Sequence, residues 1–113
     1  MNRDVLWLTY MSECLQRVER YTAGGRAALS DGGPTRDAVL RNLQVLADTS
    51  ERLHWELRER HSAVGWEPLR ALRNLIVHES LSLDDDALWE IVQYDLPLLR
   101  AAVAEMLGEV QLQ

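Results

Sequence analysis

Residues 69–80 read LRALRNLIVHES, and the spacing of their apolar letters decides the fold class. Leu69, Leu72, Leu75 and Ile76 recur at three- and four-residue intervals, which gathers them on one arc of a helix. A half-buried strand needs strict alternation, and no such run occurs here or elsewhere in the chain. Opposite that arc lie, in angular order, Arg73, Val77, Arg70, Leu81, Asn74 and His78. Arg73 and His78 are five residues apart, so they leave the helix about 140° from one another. The same letters, L-R-N-L, occur at residues 40–43, but there the position that corresponds to His78 is Leu46. One copy reads as plain amphipathic helix, and the other carries an imidazole.

Outward from this segment the chain reads as helices separated by Gly, Pro and Asp. A first helix is expected over about residues 4–22, with Val5, Leu8, Met11 or Cys14, Leu15 and Val18 as its apolar stripe, ended by TAGG. One or two turns follow through RAALS, and DGGP at residues 31–34 breaks the chain. Thr35 is a suitable cap for a long second helix over about residues 35–60, with Val39, Leu43, Leu46, Leu53 and Leu57 facing inward. HSAVGWEP reads as a loop, Pro68 suits the first turn of the third helix, and that helix runs to about Glu79. Asp84 is a good cap, with Asp85 and Asp86 favourable in the first turn. Pro97 divides the remainder into a helix to about Asp95 and another over about Leu96–Gly108. The expected architecture is all-α: an antiparallel bundle of four to five helices, in one domain spanning residues 1–113.

The bulk numbers narrow the function classes. At 113 residues the chain buries roughly two-thirds of its unfolded surface, enough for a small core. No apolar run approaches the ~20 residues that span a bilayer. Arg3, Asp4 and Glu13 interrupt the N-terminal stretch, so no signal peptide is read and a cytoplasmic location is expected. A single Cys14 forms no internal disulfide and reads as a small buried hydrophobe. One Cys and three scattered His give no metal-ligand spacing, and no cofactor is expected. The net charge of −6 argues against nonspecific coating of nucleic acid. It is unevenly placed, +1 over residues 1–78 and −7 over residues 79–113. All twelve cations are Arg, which suits bidentate contact with phosphate, although genomic base composition accounts for the missing Lys equally well. The Trp residues read as packing at core edges, with base stacking a minor role. His54 and His61 read as unpaired surface residues, Tyr21 and Tyr94 as packing residues.

His78 and Arg73 suggest a chemistry. Imidazole takes and gives protons near neutrality, and guanidinium stabilises charge on a phosphoryl group. RNA supplies its own nucleophile in the 2′-hydroxyl, so a base and a phosphate clamp suffice to cleave it without a metal. The product is a 2′,3′-cyclic phosphate. Asn74 orients the imidazole or bonds the phosphate, and Arg70 on the same arc adds phosphate binding. Since Arg73 and His78 do not share a face, a two-fold dimer through this helix offers a way to join them, with Val77 and Leu81 as its apolar centre. Asp48 is the carboxylate best placed to join the site from the second helix, although a solvated position is the more ordinary reading.

ERYTAGGRAAL, DAVLRNLQVL, LRNLIVHE and DALWEIVQYDLPLLRAAVAEML, in this order and at these intervals, resemble the HepT-like branch of the HEPN proteins. The likeness runs from Trp7 to Leu107. It implies a helical bundle that dimerises with the motif helices at the two-fold cleft. It also implies a metal-independent endoribonuclease, the toxin of a type VII-like toxin–antitoxin pair. The substrate class is transfer or messenger RNA. By resemblance, Arg73 and His78 match the catalytic pair and Asn74 the polar residue between them. The implied partner is an MntA-like minimal nucleotidyltransferase antitoxin, which transfers AMP to a tyrosine two residues after the histidine. Here that position is Ser80, so tyrosine AMPylation there is excluded. Three routes stay open: Ser80 accepts the group, the antitoxin works by binding alone, or the toxin has decayed or been retuned. A competing reading is a non-catalytic helical module that binds a nucleotide or partner beside a nucleotidyltransferase, and a third is a dimerisation scaffold. A small nucleotidyltransferase in the neighbouring reading frame would favour the toxin pair.

Overall fold

The computed structural model describes residues 3–30 and 33–112. Asp31 and Gly32 of the expected break lie outside these residues. Among the described residues six α-helices follow in order: α1 (Arg3–Tyr21), α2 (Pro34–Ser50), α3 (Trp55–Arg60), α4 (Trp66–Glu79), α5 (Asp85–Glu90) and α6 (Leu96–Gln111). Short 3₁₀ segments occupy Arg26–Ser30 and Ser80–Ser82, and a π turn, Ile91–Asp95, joins α5 to α6. Among the described residues there is no strand.

Side-chain bonds between helices give their directions. Asp4 Oδ1 at the start of α1 accepts from the His54 N–H just beyond α2 at 3.0 Å, so α1 and α2 run antiparallel. Glu19 near the end of α1 pairs with Arg100 near the start of α6. Arg36 in the first turn of α2 donates to the carbonyls of Ser80 and Leu83, just past the end of α4. The four long helices α1, α2, α4 and α6 therefore form an antiparallel bundle. Leu8, Met11, Val39, Leu43, Leu46, Leu88, Val103 and Met106 fill the shared core. Cys14 is buried with them, and burial pushes its thiol above the ordinary range, which leaves it an unreactive packing group.

Local chemistry explains most boundaries. Thr22 closes α1 by bonding its hydroxyl to the Val18 carbonyl. Asp84 caps α5 by accepting from the Ala87 N–H at 2.8 Å. The cap of α2 is Gly33, not Thr35: its φ of 126° is open only to glycine, and Pro34 then takes the first helical position. Helix α4 begins at Trp66, two residues before expected, with Pro68 still in the first turn, where no helical N–H is required.

Two further expectations are corrected. The second helix does not reach residue 60. It stops at Ser50, where the hydroxyls of Thr49 and Ser50 bond back to the Val45 and Ala47 carbonyls. Asp4 then captures the His54 N–H, and His54 starts α3 by accepting from the Glu56 N–H. The helix expected to begin at about Leu96 does begin there, with Pro97 in its first turn, but it follows α5 through the π turn Ile91–Asp95 without a break. The π turn places the Leu96 N–H on the Ile91 carbonyl, and this wider spacing absorbs the ring and missing donor of Pro97. Gly108 does not end α6, which runs on to Gln111.

Candidate functional site

Helix α4 buries Leu69 and Ile76 and leaves Arg70, Asn74, Val77 and His78 exposed. The periodicity that builds the core therefore also sets out the motif. On one edge of the outer arc, Arg73 Nε donates to Asp48 Oδ1 of α2 at 2.8 Å. Its Nη1 lies 3.4 Å from Asn74 Oδ1. One turn earlier, Arg70 makes a two-pronged contact with Glu51 just past α2, Nε to Oε1 at 2.8 Å and Nη2 to Oε2 at 3.0 Å. Glu67 takes its remaining prong at 2.9 Å. The pairs form an antiparallel ladder, since three residues forward from Asp48 match three residues back from Arg73.

On the other edge His78 faces solvent and, among the described residues, makes no side-chain hydrogen bond or ion pair. No hydrogen bond joins it to Arg73. Between the two edges stands Val77, 41% exposed. Leu81, 98% exposed, lies past the end of α4 in the 3₁₀ turn Ser80–Ser82, so the helical arc expected to carry it stops short of it. A single chain thus keeps the guanidinium and imidazole apart, as the 140° separation requires, with Val77 exposed between them. Ser80 is half-buried at the C-terminal end of α4, and its carbonyl receives Arg36 Nη2 at 3.5 Å. Among the described residues no cluster of His, Cys, Asp and Glu could hold a metal ion.

Glu51 fills the fork of Arg70 that a phosphate would fill, and Asp48 takes the Nε of Arg73. The two Glu51 oxygens resemble two phosphate oxygens, so the Arg70 guanidinium is already oriented for bidentate contact. The hydrogen bond from Arg70 holds the Glu51 carboxyl below its ordinary value of 4.5. A depressed acid contributes stability that is complete above its unfolded value and lost as pH falls through the folded one. Glu51→Gln should cost less than about 1 kcal/mol at pH 7, because both partners are partly solvated. The difference from the unsubstituted chain should vanish in acid, below the folded value of Glu51. Urea unfolding across pH 3 to 7 (roughly the carboxylate range) checks this; a difference that persists in acid contradicts it.

Sequence reasoning understated Asp48 and missed Glu51. The signal was present: acids three apart on one helix and arginines three apart on another. Reading it required the antiparallel register. His61 is not a free surface residue. Its Nε2 lies 2.7 Å from Glu109 Oε2, and Arg60 adds a second contact, which together hold the Glu109 carboxyl below its ordinary value. Tyr21 and Tyr94 are exposed instead of packed, and Trp55 is 60% exposed, unlike the half-buried Trp7, Trp66 and Trp89.

An apolar groove of about 590 Å³ lies on the other side of α4, lined by Pro68, Leu69 and Leu72 with Leu96, Leu99 and Ala102. Neither Arg73 nor His78 borders it.

The family model described as "Ribonuclease HepT-like" matches residues 11–106. The probable ribonuclease HepT of Thermococcus cleftensis is 26% identical over 83% of this chain and 86% of its own length. A Methanocaldococcus jannaschii protein, whose name joins a gamma-glutamylcyclotransferase to an unconfirmed RNase, is 24% identical over 97% of this chain and 50% of its own length. A second protein of that organism, also named as an unconfirmed RNase, is 32% identical over 60% of this chain and 62% of its own length. The chain thus spans about half to three-fifths of the length of these two relatives. No solved structure matches the chain.

Proposed function

The chain belongs to the ribonuclease HepT-like family, and we propose that it cleaves RNA without a metal, using Arg73 and His78 from two copies of α4 that meet across a two-fold axis. The observation that carries this reading is the pair of edges on α4. Arg73 is held in place by Asp48, His78 is solvent-facing with no side-chain partner among the described residues, and exposed Val77 lies between them, with exposed Leu81 just past the end of the helix. An isologous contact centred on Val77, with Leu81 at its margin, buries both apolar residues and brings Arg73 of one protomer toward His78 of its partner.

The reaction follows from these groups. Neutral His78 removes the proton of a 2′-hydroxyl, and the 2′-oxygen attacks the adjacent phosphorus. Arg73 transfers from Asp48 to the phosphate and stabilises its developing negative charge. The bond from phosphorus to the 5′-oxygen breaks, and that oxygen takes a proton from the imidazolium or from water. The products are a 2′,3′-cyclic phosphate and a 5′-hydroxyl. Asn74 and Arg70 extend the phosphate contacts.

In this reading the protein is a cytoplasmic toxin held in check by an MntA-like nucleotidyltransferase antitoxin. Ser80, in place of a tyrosine, offers a hydroxyl for modification at the end of the motif helix. No helix among the described residues is long and apolar enough to cross a membrane. The test is incubation of purified protein with RNA in EDTA. Cleavage supports the reading, and intact RNA sinks it.

A further inference from the structure

The corner between α2 and α3 presents an aromatic surface that packing does not explain. Trp55 is 60% exposed, so most of its ring leaves the core unserved. It is nevertheless held. The His54 ring stacks on it with centroids 5.9 Å apart and planes at 27°. His54 is itself fixed twice, by its N–H on Asp4 and by its ring nitrogen on the Glu56 N–H. A large planar face is thus kept in one pose while it remains wet. Beside it in the chain, Arg52 lies over the Trp7 ring at 5.2 Å and, among the described residues, has no carboxylate partner.

The place of this corner gives it a direction. Asp48 and Glu51, which hold Arg73 and Arg70, lead straight into it along the chain. Glu51, which holds Arg70, also accepts from Arg58 Nη1 at 3.4 Å, and Arg58 lies one turn along α3 from Trp55, so α3 stands beside the Arg70 end of the ladder. Base stacking on an exposed aromatic ring needs no particular sequence, and arginines that track the backbone complete such a platform.

We propose that the α2–α3 corner is an anchoring subsite for single-stranded RNA, with Trp55 stacking a base away from the cleavage point and Arg52 meeting a phosphate. The proposal rests on the ribonuclease reading above. It identifies the substrate as unpaired RNA extending beyond the cleft along the Arg73–Arg70 edge. Trp55 positions the strand and takes no part in the bond-breaking step.

The test is binding of a fluorescently labelled oligonucleotide, 2′-O-methylated throughout so that no nucleophile is present, followed by anisotropy. Trp55→Ala should raise Kd about tenfold, whereas Trp55→Tyr, which retains a stacking face, should remain within about threefold. In cleavage assays Trp55→Ala should raise KM and leave kcat unchanged. Equal thermal unfolding of the variants shows that the fold is intact. Unchanged binding by Trp55→Ala overturns the anchor and leaves the ribonuclease reading standing. Absence of RNA binding and cleavage in the unsubstituted protein overturns both.

Discussion

Chains carrying Arg73→Ala, mixed with chains carrying His78→Ala and allowed to exchange protomers, should recover RNA cleavage that neither possesses alone. Each single substitution should lower cleavage about 100-fold or more, because one removes the general base and the other the group that meets the developing charge. In a mixed dimer one cleft carries both substitutions. The other keeps Arg73 from one protomer and His78 from its partner, both intact. Random exchange places half of the dimers in the mixed form, each with one working cleft of two, so activity should return to about a quarter of the unsubstituted level. A pair acting within one chain gives no recovery, since every chain then lacks one member. The geometry favours the first outcome: Arg73 is drawn toward α2 by Asp48, and His78 leaves α4 on the opposite edge.

The second large effect concerns the copy of the motif that carries no imidazole. Leu46 occupies the position in α2 that His78 occupies in α4, and it is fully buried. Helix α2 packs against both α1 and α4, so this side chain lies where the bundle closes. Leu46→Ala should lower stability by about 2 to 5 kcal/mol, the cost of lost apolar burial plus the cavity left behind. Urea or thermal unfolding measures it. A loss below about 1 kcal/mol would show that the core relaxes around the gap. Leu81→Ala, at a position 98% exposed, should change the stability of the isolated chain by less than about 0.5 kcal/mol. Its effect should appear in the dimer.

These two copies show what a sequence reveals of this fold. L-R-N-L at residues 40–43 and at residues 72–75 both encode a helix with one apolar face, because that information is local. The Asp84 cap and the end of α4 at Glu79 were legible for the same reason. The end of α2 at Ser50 was harder. Asp48, Thr49 and Ser50 are poor helix formers, but the competing partner for the chain is Asp4, about fifty residues away in sequence. The π turn ahead of Pro97 was likewise hidden, since proline announces a disturbance without saying whether the helix breaks or widens.

In the candidate site, Arg73 and His78 were legible as residue types at a spacing, and the family resemblance gave that spacing its weight. Their separation around α4 followed from helix geometry alone. The carboxylate ladder did not, because Asp48 and Glu51 become partners of Arg73 and Arg70 only when α2 and α4 pack in one antiparallel register. His61 appeared unpaired because Glu109 reaches it from the far end of the chain. The expectation that aromatic residues pack failed where packing gave way to exposure, at Trp55, Tyr21 and Tyr94.

The most direct measurement is cleavage of RNA by the purified protein in EDTA, with analysis of the product ends. A base and a guanidinium acting on the 2′-hydroxyl predict cutting that continues in the chelator and leaves 2′,3′-cyclic phosphate and 5′-hydroxyl ends. Cutting that stops in EDTA, or products with 5′-phosphate and 3′-hydroxyl ends, would contradict the proposed chemistry of Arg73 and His78.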